Sequence, residues 1–203
     1  MLEPLSTRKP AKTSLKNLTI DDNLKSDLLQ IPSHVSIFVG IEYNLKMAVI
    51  LLVMGKTDVG WVKEGLDLYV SRLSHYIRFS VKEIPELKNA SSIGKDQIKK
   101  KEGDIILKNI GSEDFVVLLD EHGEEFRSVE FAKKLEKRIS SSGKNIIFVI
   151  GGAYGFSDAV YDRCDAKLSL SRLTFSHQMA RTIFAEQLYR AFTIMKGEPY
   201  HHE

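Results

Sequence analysis

Cysteine, tryptophan and proline are scarce in this 203-residue sequence: Cys164 and Trp61 are single, and only 5 prolines occur. One cysteine excludes an intramolecular disulfide framework, and a zinc site would have to draw its ligands from His, Asp and Glu. That scarcity suits a reducing, cytoplasmic setting. Long apolar runs are missing as well. The longest, Met47 to Met54, has the length of a strand and falls far short of the roughly 20 residues that span a bilayer, so no membrane segment is expected. Excess charge of one sign is also absent, because 29 Lys+Arg against 27 Asp+Glu leave a net charge of +2. A free-standing nucleic-acid binder usually carries a stronger positive field, so charge alone does not point to RNA. What remains, 43% hydrophobic and 28% charged residues, is the composition of an ordinary globular protein with one sizeable core and an appendage.

The pattern changes abruptly at Met47. Residues 1–46 mix Pro, Ser, Thr, Lys and Asp with short apolar pieces such as Leu28-Leu29 and hold no sustained period. They are expected to form a poorly ordered N-terminal extension, and a start assigned too far upstream would produce such a segment. A targeting peptide fits poorly, since there is no apolar core, Arg8 is the sole arginine there, and Asp21, Asp22 and Asp27 follow. Residues 47–203 form the expected domain.

Within that domain, strands and helices alternate. The apolar run Met47–Met54, closed by Gly55, reads as a parallel strand buried on both faces. Asp58 is the expected N-cap of a helix in which Trp61, Val62, Leu66, Leu68, Tyr69 and Leu73 recur at helical spacing through about Tyr76. Strands are predicted at Phe79–Ile84, Phe115–Leu119 and Asn145–Ile150, and helices at about 96–110, at Ser128–Ile139 and at His177–Met195. The order implies an α/β fold with a mostly parallel sheet flanked by helices. The closing Pro199-Tyr200-His201-His202-Glu203 is polar and aromatic, with no evident packing purpose.

Gly55-Lys56-Thr57 invites a phosphate-loop reading, but that loop needs glycine five residues before Gly55, where Ile50 stands. A nucleotide triphosphatase is excluded, and the segment reads as a strand-to-helix turn. Gly151-Gly152-Ala153-Tyr154-Gly155 directly follows a predicted strand, where open α/β sheets bind ligands. It is either a ligand loop or a tight turn, and it does not match the dinucleotide fingerprint G-x-G-x-x-G, which weakens an oxidoreductase reading. Ser169 to His177 is apolar and hydroxyl-rich: either a strand with an N-cap, or a loop whose backbone hydrogen-bonds an adenine-like base. His177, His201 and His202 lack metal-ligand spacing, so no metal is expected. Lys99-Lys100-Lys101 reads as a solvated helix face.

Five separated motifs, in order and spacing, resemble the ribosomal RNA large subunit methyltransferase H family of the SPOUT superfamily. They are Leu118-Leu119-Asp120; Phe148-Val149-Ile150-Gly151-Gly152 with Gly155; Leu168 to His177; Glu186-Gln187-Leu188-Tyr189-Arg190-Ala191; and Pro199 to Glu203. The resemblance covers essentially 47–203. It implies a SPOUT-type fold with a C-terminal trefoil knot, and a homodimer whose interface lies beside the active sites. It implies S-adenosyl-L-methionine as cofactor and N3-methylation of a pseudouridine in large-subunit (23S) ribosomal RNA within the assembled ribosome. A non-catalytic ribosome-binding or assembly module of the same fold is the alternative.

Residue by residue, the resemblance implies cofactor contacts at Leu119 and Gly151 and along Leu170, Ser171, Arg172, Leu173, Thr174 and Phe175. The candidate catalytic residues are His177, Arg190, Tyr200 and His201, because the acceptor's N–H proton must leave and a developing anion needs stabilising. The plainer alternative has His177 capping the last helix and Arg190 pairing with Glu186 one turn away.

Overall fold

The computed structural model describes residues 47–87 and 92–201, so the expected extension over 1–46 and His202 lie outside the described part. The described strands are β1 (Ala48–Met54), β2 (Arg78–Ile84), β3 (Phe115–Glu124), β4 (Ile146–Ile150) and β5 (Ala166–Leu168). They form one sheet in the order β2-β1-β4-β3-β5, with every neighbouring pair parallel. The helices are α1 (Gly60–Leu73), α2 (Lys95–Lys108), α3 (Ser128–Ser141), α4 (Asp158–Arg163) and α5 (His177–Lys196).

The apolar runs dictate this arrangement. β4, Ile-Ile-Phe-Val-Ile, is buried at every residue because it is flanked by strands at its edges and by helices on both faces. Alternate side chains point to opposite faces. On one face Val49, Leu51, Val53, Phe148 and Ile150 meet Leu73 of α1, Leu135 of α3 and Phe184, Leu188 and Phe192 of α5. On the other, Leu52, Met54, Ile147 and Val149 meet Ile106 of α2 and Val160 of α4. Each such fully buried side chain contributes about 1.5–3 kcal/mol.

Two features of α1 differ from expectation. α1 is preceded by Val59, which has no side-chain cap, and Asp58 does not cap it; the Asp58 carboxylate instead accepts from the Gln178 side-chain amide. The same amide's oxygen accepts the Val59 N–H at 3.1 Å, so Gln178 binds the loop before α1 to the start of α5. Trp61 and Leu68, expected on the buried stripe, are 64% and 48% exposed. α1 packs through a narrower stripe of Val62, Leu66 and Leu73.

α4 and β5, of 6 and 3 residues, are too short to show a period in the sequence. β3 runs past Leu119 to Glu124, and both of these residues pair with Leu168 across a register break. The Ser169 N–H donates to the Glu124 carbonyl at 3.0 Å. A Cβ on Gly123 would lie 2.5 Å from the Leu168 carbonyl carbon, so only glycine lets the end of β3 lie against the 168–169 backbone.

Candidate active site

All five strands point their carboxyl ends toward one edge of the sheet, and the loops leaving β3, β4 and β5 enclose a cavity of about 420 Å³ there. That size and position suit a small-molecule site in an open α/β fold. Leu119, Asp120 and Glu121 line it from β3, Gly151 to Ala153 with Gly155 and Phe156 from beyond β4, and the 168–177 segment from beyond β5.

Of the expected cofactor contacts, Leu119, Gly151, Leu170, Ser171, Leu173, Thr174 and Phe175 line this cavity. Arg172 does not: its side chain, 90% exposed, turns to Glu125, with Nε 3.2 Å from Oε2. The 170s loop keeps its shape through its own hydroxyls, which explains their abundance. The Ser169 hydroxyl donates to the Ser171 carbonyl at 3.1 Å, and Ser171 Oγ accepts the Leu173 N–H at 2.9 Å. Leu173 and Phe175 remain exposed at the mouth.

Gly151 is needed for a reason the sequence does not reveal. A Cβ there would meet the Phe156 ring at 3.0 Å, so the space that a side chain would take is filled by another wall of the cavity.

Asp120 stands at the end of the buried part of β3, with its side chain 7% exposed. Its Oδ2 accepts from the Tyr161 hydroxyl at 2.6 Å and its Oδ1 from the His122 N–H at 2.8 Å. Burial pushes the carboxyl pKa up, yet these donors outweigh it and hold the group below the ordinary aspartate range. The same burial and the Asp120 carboxylate raise the Tyr161 phenol well above its ordinary value, so it stays a donor. Asp120 belongs to one of the family motifs but is not among the expected site residues; its position at a strand's carboxyl end is the signal that could have found it.

His177 lines the cavity as the first residue of α5. It does not cap that helix, because Ser176 does so by accepting the Met179 N–H at 3.3 Å. Four residues on, Arg181 is completely buried. It donates from Nη1 to Thr57 Oγ1 at 2.7 Å and from Nη2 to the Met54 carbonyl at 2.5 Å, tying the end of β1 to α5.

The other candidate catalytic residues gather elsewhere. Arg190 Nη2 lies 2.5 Å from Glu186 Oε1, one turn away, and the Tyr200 hydroxyl donates to the same oxygen at 3.1 Å. The Arg190 guanidinium stands 4.8 Å from the Tyr200 ring centroid, and His201 Nδ1 lies 3.5 Å from Arg190 Nη1. Tyr200 also packs edge-on against Tyr189, so the tail that showed no packing purpose is part of an aromatic cluster. Burial first, then hydrogen bonding with Tyr69 and the nearby Glu186, raise the Tyr200 phenol well above its ordinary pKa. None of Arg190, Tyr200 and His201 lines the cavity. Thirteen residues of α5 separate His177 from Arg190, which is about 20 Å along the axis.

Among the described residues no group of three or more His, Cys, Asp or Glu is arranged to hold a metal, and no helix is long and apolar enough to cross a membrane.

A family model described as predicted SPOUT methyltransferase matches residues 47–201. The chain is 51% identical over 157 residues to the ribosomal RNA large subunit methyltransferase H of Parabacteroides distasonis, covering 77% of this chain and 100% of that protein. It is 51% identical over 156 residues to the protein of that name from Christiangramia forsetii, covering 77% and 99%. Its identity to the Flavobacterium johnsoniae protein is 47% over 157 residues, covering 77% and 100%. A family model spanning most of the chain, and relatives near half identity aligned over essentially their whole length, place this α/β protein in the SPOUT methyltransferases, as a member of the ribosomal RNA large subunit methyltransferase H family.

Proposed function

We propose that the cavity holds S-adenosyl-L-methionine and that the enzyme methylates large-subunit ribosomal RNA within the ribosome, at N3 of a pseudouridine. The observation that carries this reading is the cavity itself, where a glycine loop after β4 faces a hydroxyl-held loop after β5 and, among the described residues, the fixed charges lining it are the carboxylates of Asp120 and Glu121. Glycine backbone and the 170s loop suit an adenosyl group, and the carboxylates suit a cationic ligand. When bound, the cofactor supplies a methyl group already activated on positively charged sulfur. The protein's own task is to align the acceptor nitrogen and remove its proton.

His177 is the ring base within the cavity. Tyr200, held protonated, acts as a donor, and Arg190 can oppose negative charge on the acceptor base. Because Arg190, with the Tyr200 ring against it, lies about 20 Å along α5 from the His177 of its own chain, a homodimer that brings a second copy's tail to this cavity completes the site. Exposed Trp61, Leu68, Leu173 and Phe175 offer apolar surface for such a contact. The close lie of residues 119–124 against 168–169 supports a C-terminal trefoil knot, with the 170s loop drawn beneath the end of β3. A substrate presented by the whole ribosome accounts for the modest charge, since shape and partner contacts supplement phosphate neutralisation.

The test is transfer of tritiated methyl from the cofactor to ribosomes and to naked ribosomal RNA, followed by nucleoside digestion and mass spectrometry. Methylated pseudouridine from ribosomes is the expected product. Label on another base overturns the assignment of the target, and cofactor binding without transfer favours the assembly module.

A further inference from the structure

The ionic content of the cavity is one-sided. Asp120 and Glu121 line it, but among the described residues no lysine or arginine does, and the nearby Arg172 is turned outward onto Glu125. The two carboxylates are not equivalent. Glu121 is 74% exposed and screened by water, whereas Asp120 is 7% exposed. The short hydrogen bond to Asp120 comes from the neutral Tyr161 hydroxyl, and a second from the His122 backbone. These dipoles fix the carboxylate without cancelling its charge. The His122 ring is a third partner, with Nδ1 3.3 Å from Oδ1, but it is 76% exposed and water screens what it contributes. A buried anion in a cavity wall, held mainly by neutral donors, attracts a cation and gives a neutral ligand of the same shape much less.

Methyl transfer changes that charge. The S–CH₃ bond breaks with its electron pair left on sulfur, and an N–CH₃ bond forms at the acceptor, whose N–H proton passes to a base or to water. The ligand enters with a net charge of about +1 and leaves as a neutral thioether. Resting on the cofactor reading above, we propose that Asp120 makes the cavity selective for the sulfonium cofactor over its neutral product, S-adenosyl-L-homocysteine. Capture and release of the ligand are thereby set by one charge in the wall. Tyr161 is a positioning residue that holds that charge in place.

Calorimetry on the full chain tests this with three probes: S-adenosyl-L-methionine, sinefungin, which carries an ammonium in place of the methylsulfonium, and S-adenosyl-L-homocysteine. Asp120→Asn keeps the side chain's size and removes its charge. It should weaken the two cationic probes by about tenfold and the neutral one by less than about twofold. Equal loss for all three means that Asp120 contacts a group they share, and overturns the inference while leaving the cofactor reading intact. No binding of any probe by the wild type overturns the cofactor reading itself. Should the variant fail to fold, the wild type decides directly, since it should bind the two cationic probes about tenfold more tightly than the neutral product. Equal affinities for all three would refute selection by charge.

Discussion

Replacing Arg181 by Met tests whether the edge that carries the cavity is held by a buried guanidinium. The side chain has no exposed surface, and it donates to Thr57 Oγ1 at 2.7 Å and to the Met54 carbonyl at 2.5 Å. Burial lowers its pKa, and the carboxylates of Glu83, Glu86 and Asp58 act against that loss. Glu83 in turn accepts the Thr57 N–H at 2.7 Å. Methionine follows the same unbranched path but leaves a buried carbonyl and a hydroxyl without their donor. A hydrogen bond from a charged group contributes about 1.5–3 kcal/mol, and removing one member of a buried ionic arrangement costs about 3–5 kcal/mol. Some apolar packing is regained, so a loss of about 3–4 kcal/mol is expected. Urea unfolding followed by circular dichroism, at one fixed protein concentration, measures it. A cycle with Thr57→Val should return a coupling of about 1–2 kcal/mol. A loss below about 1 kcal/mol, or no coupling, would refute the account of Arg181 as the tie between β1 and α5.

Tyr161→Phe should cost about 1–2 kcal/mol near neutral pH. Asp120's depressed carboxyl contributes stability that is present above the unfolded pKa of about 3.9 and is lost as pH falls through its lower folded value, so the gap between variant and wild type should close in acid; urea midpoints from pH 6 downward would show it. Gly151→Val should displace Phe156, lowering stability by about 1–3 kcal/mol and cofactor affinity with it; unchanged affinity by calorimetry would detach Gly151 from the site. Arg190→Gln should reduce methyl transfer sharply with cofactor affinity unchanged, because no member of its cluster lines the cavity; equal loss of both would place Arg190 in the cofactor site instead.

The sequence revealed those parts of the structure that a continuous pattern specifies. β1 and β4 are unbroken apolar runs because a parallel strand buried on both faces admits nothing else, and α5 is long enough to declare its period. What stayed hidden depends on contacts between distant residues. Nothing near Asp58 in the chain indicates that its partner is Gln178 rather than its own helix. The end of β3 could not be placed, since residues 120–124 are strand only because Leu168 and Ser169 lie against them. In the site, the loops that motif resemblance points to line the cavity, and side-chain direction was beyond its reach: Arg172 belongs to the 170s loop in sequence but faces away from the cavity. The distance between His177 and the Arg190 cluster follows from helical rise alone.

The exposure of Trp61 has a practical consequence. As the sole tryptophan, it makes the protein's intrinsic fluorescence the signal of one address on α1. Already 64% exposed when folded, its indole meets much the same solvent in the unfolded chain, so emission wavelength will follow unfolding poorly. It will instead follow anything that settles on that helix. A second copy or a ribosomal surface covering α1 would strip water from the indole, shift emission to shorter wavelength and shield it from acrylamide, without a label attached anywhere in the molecule.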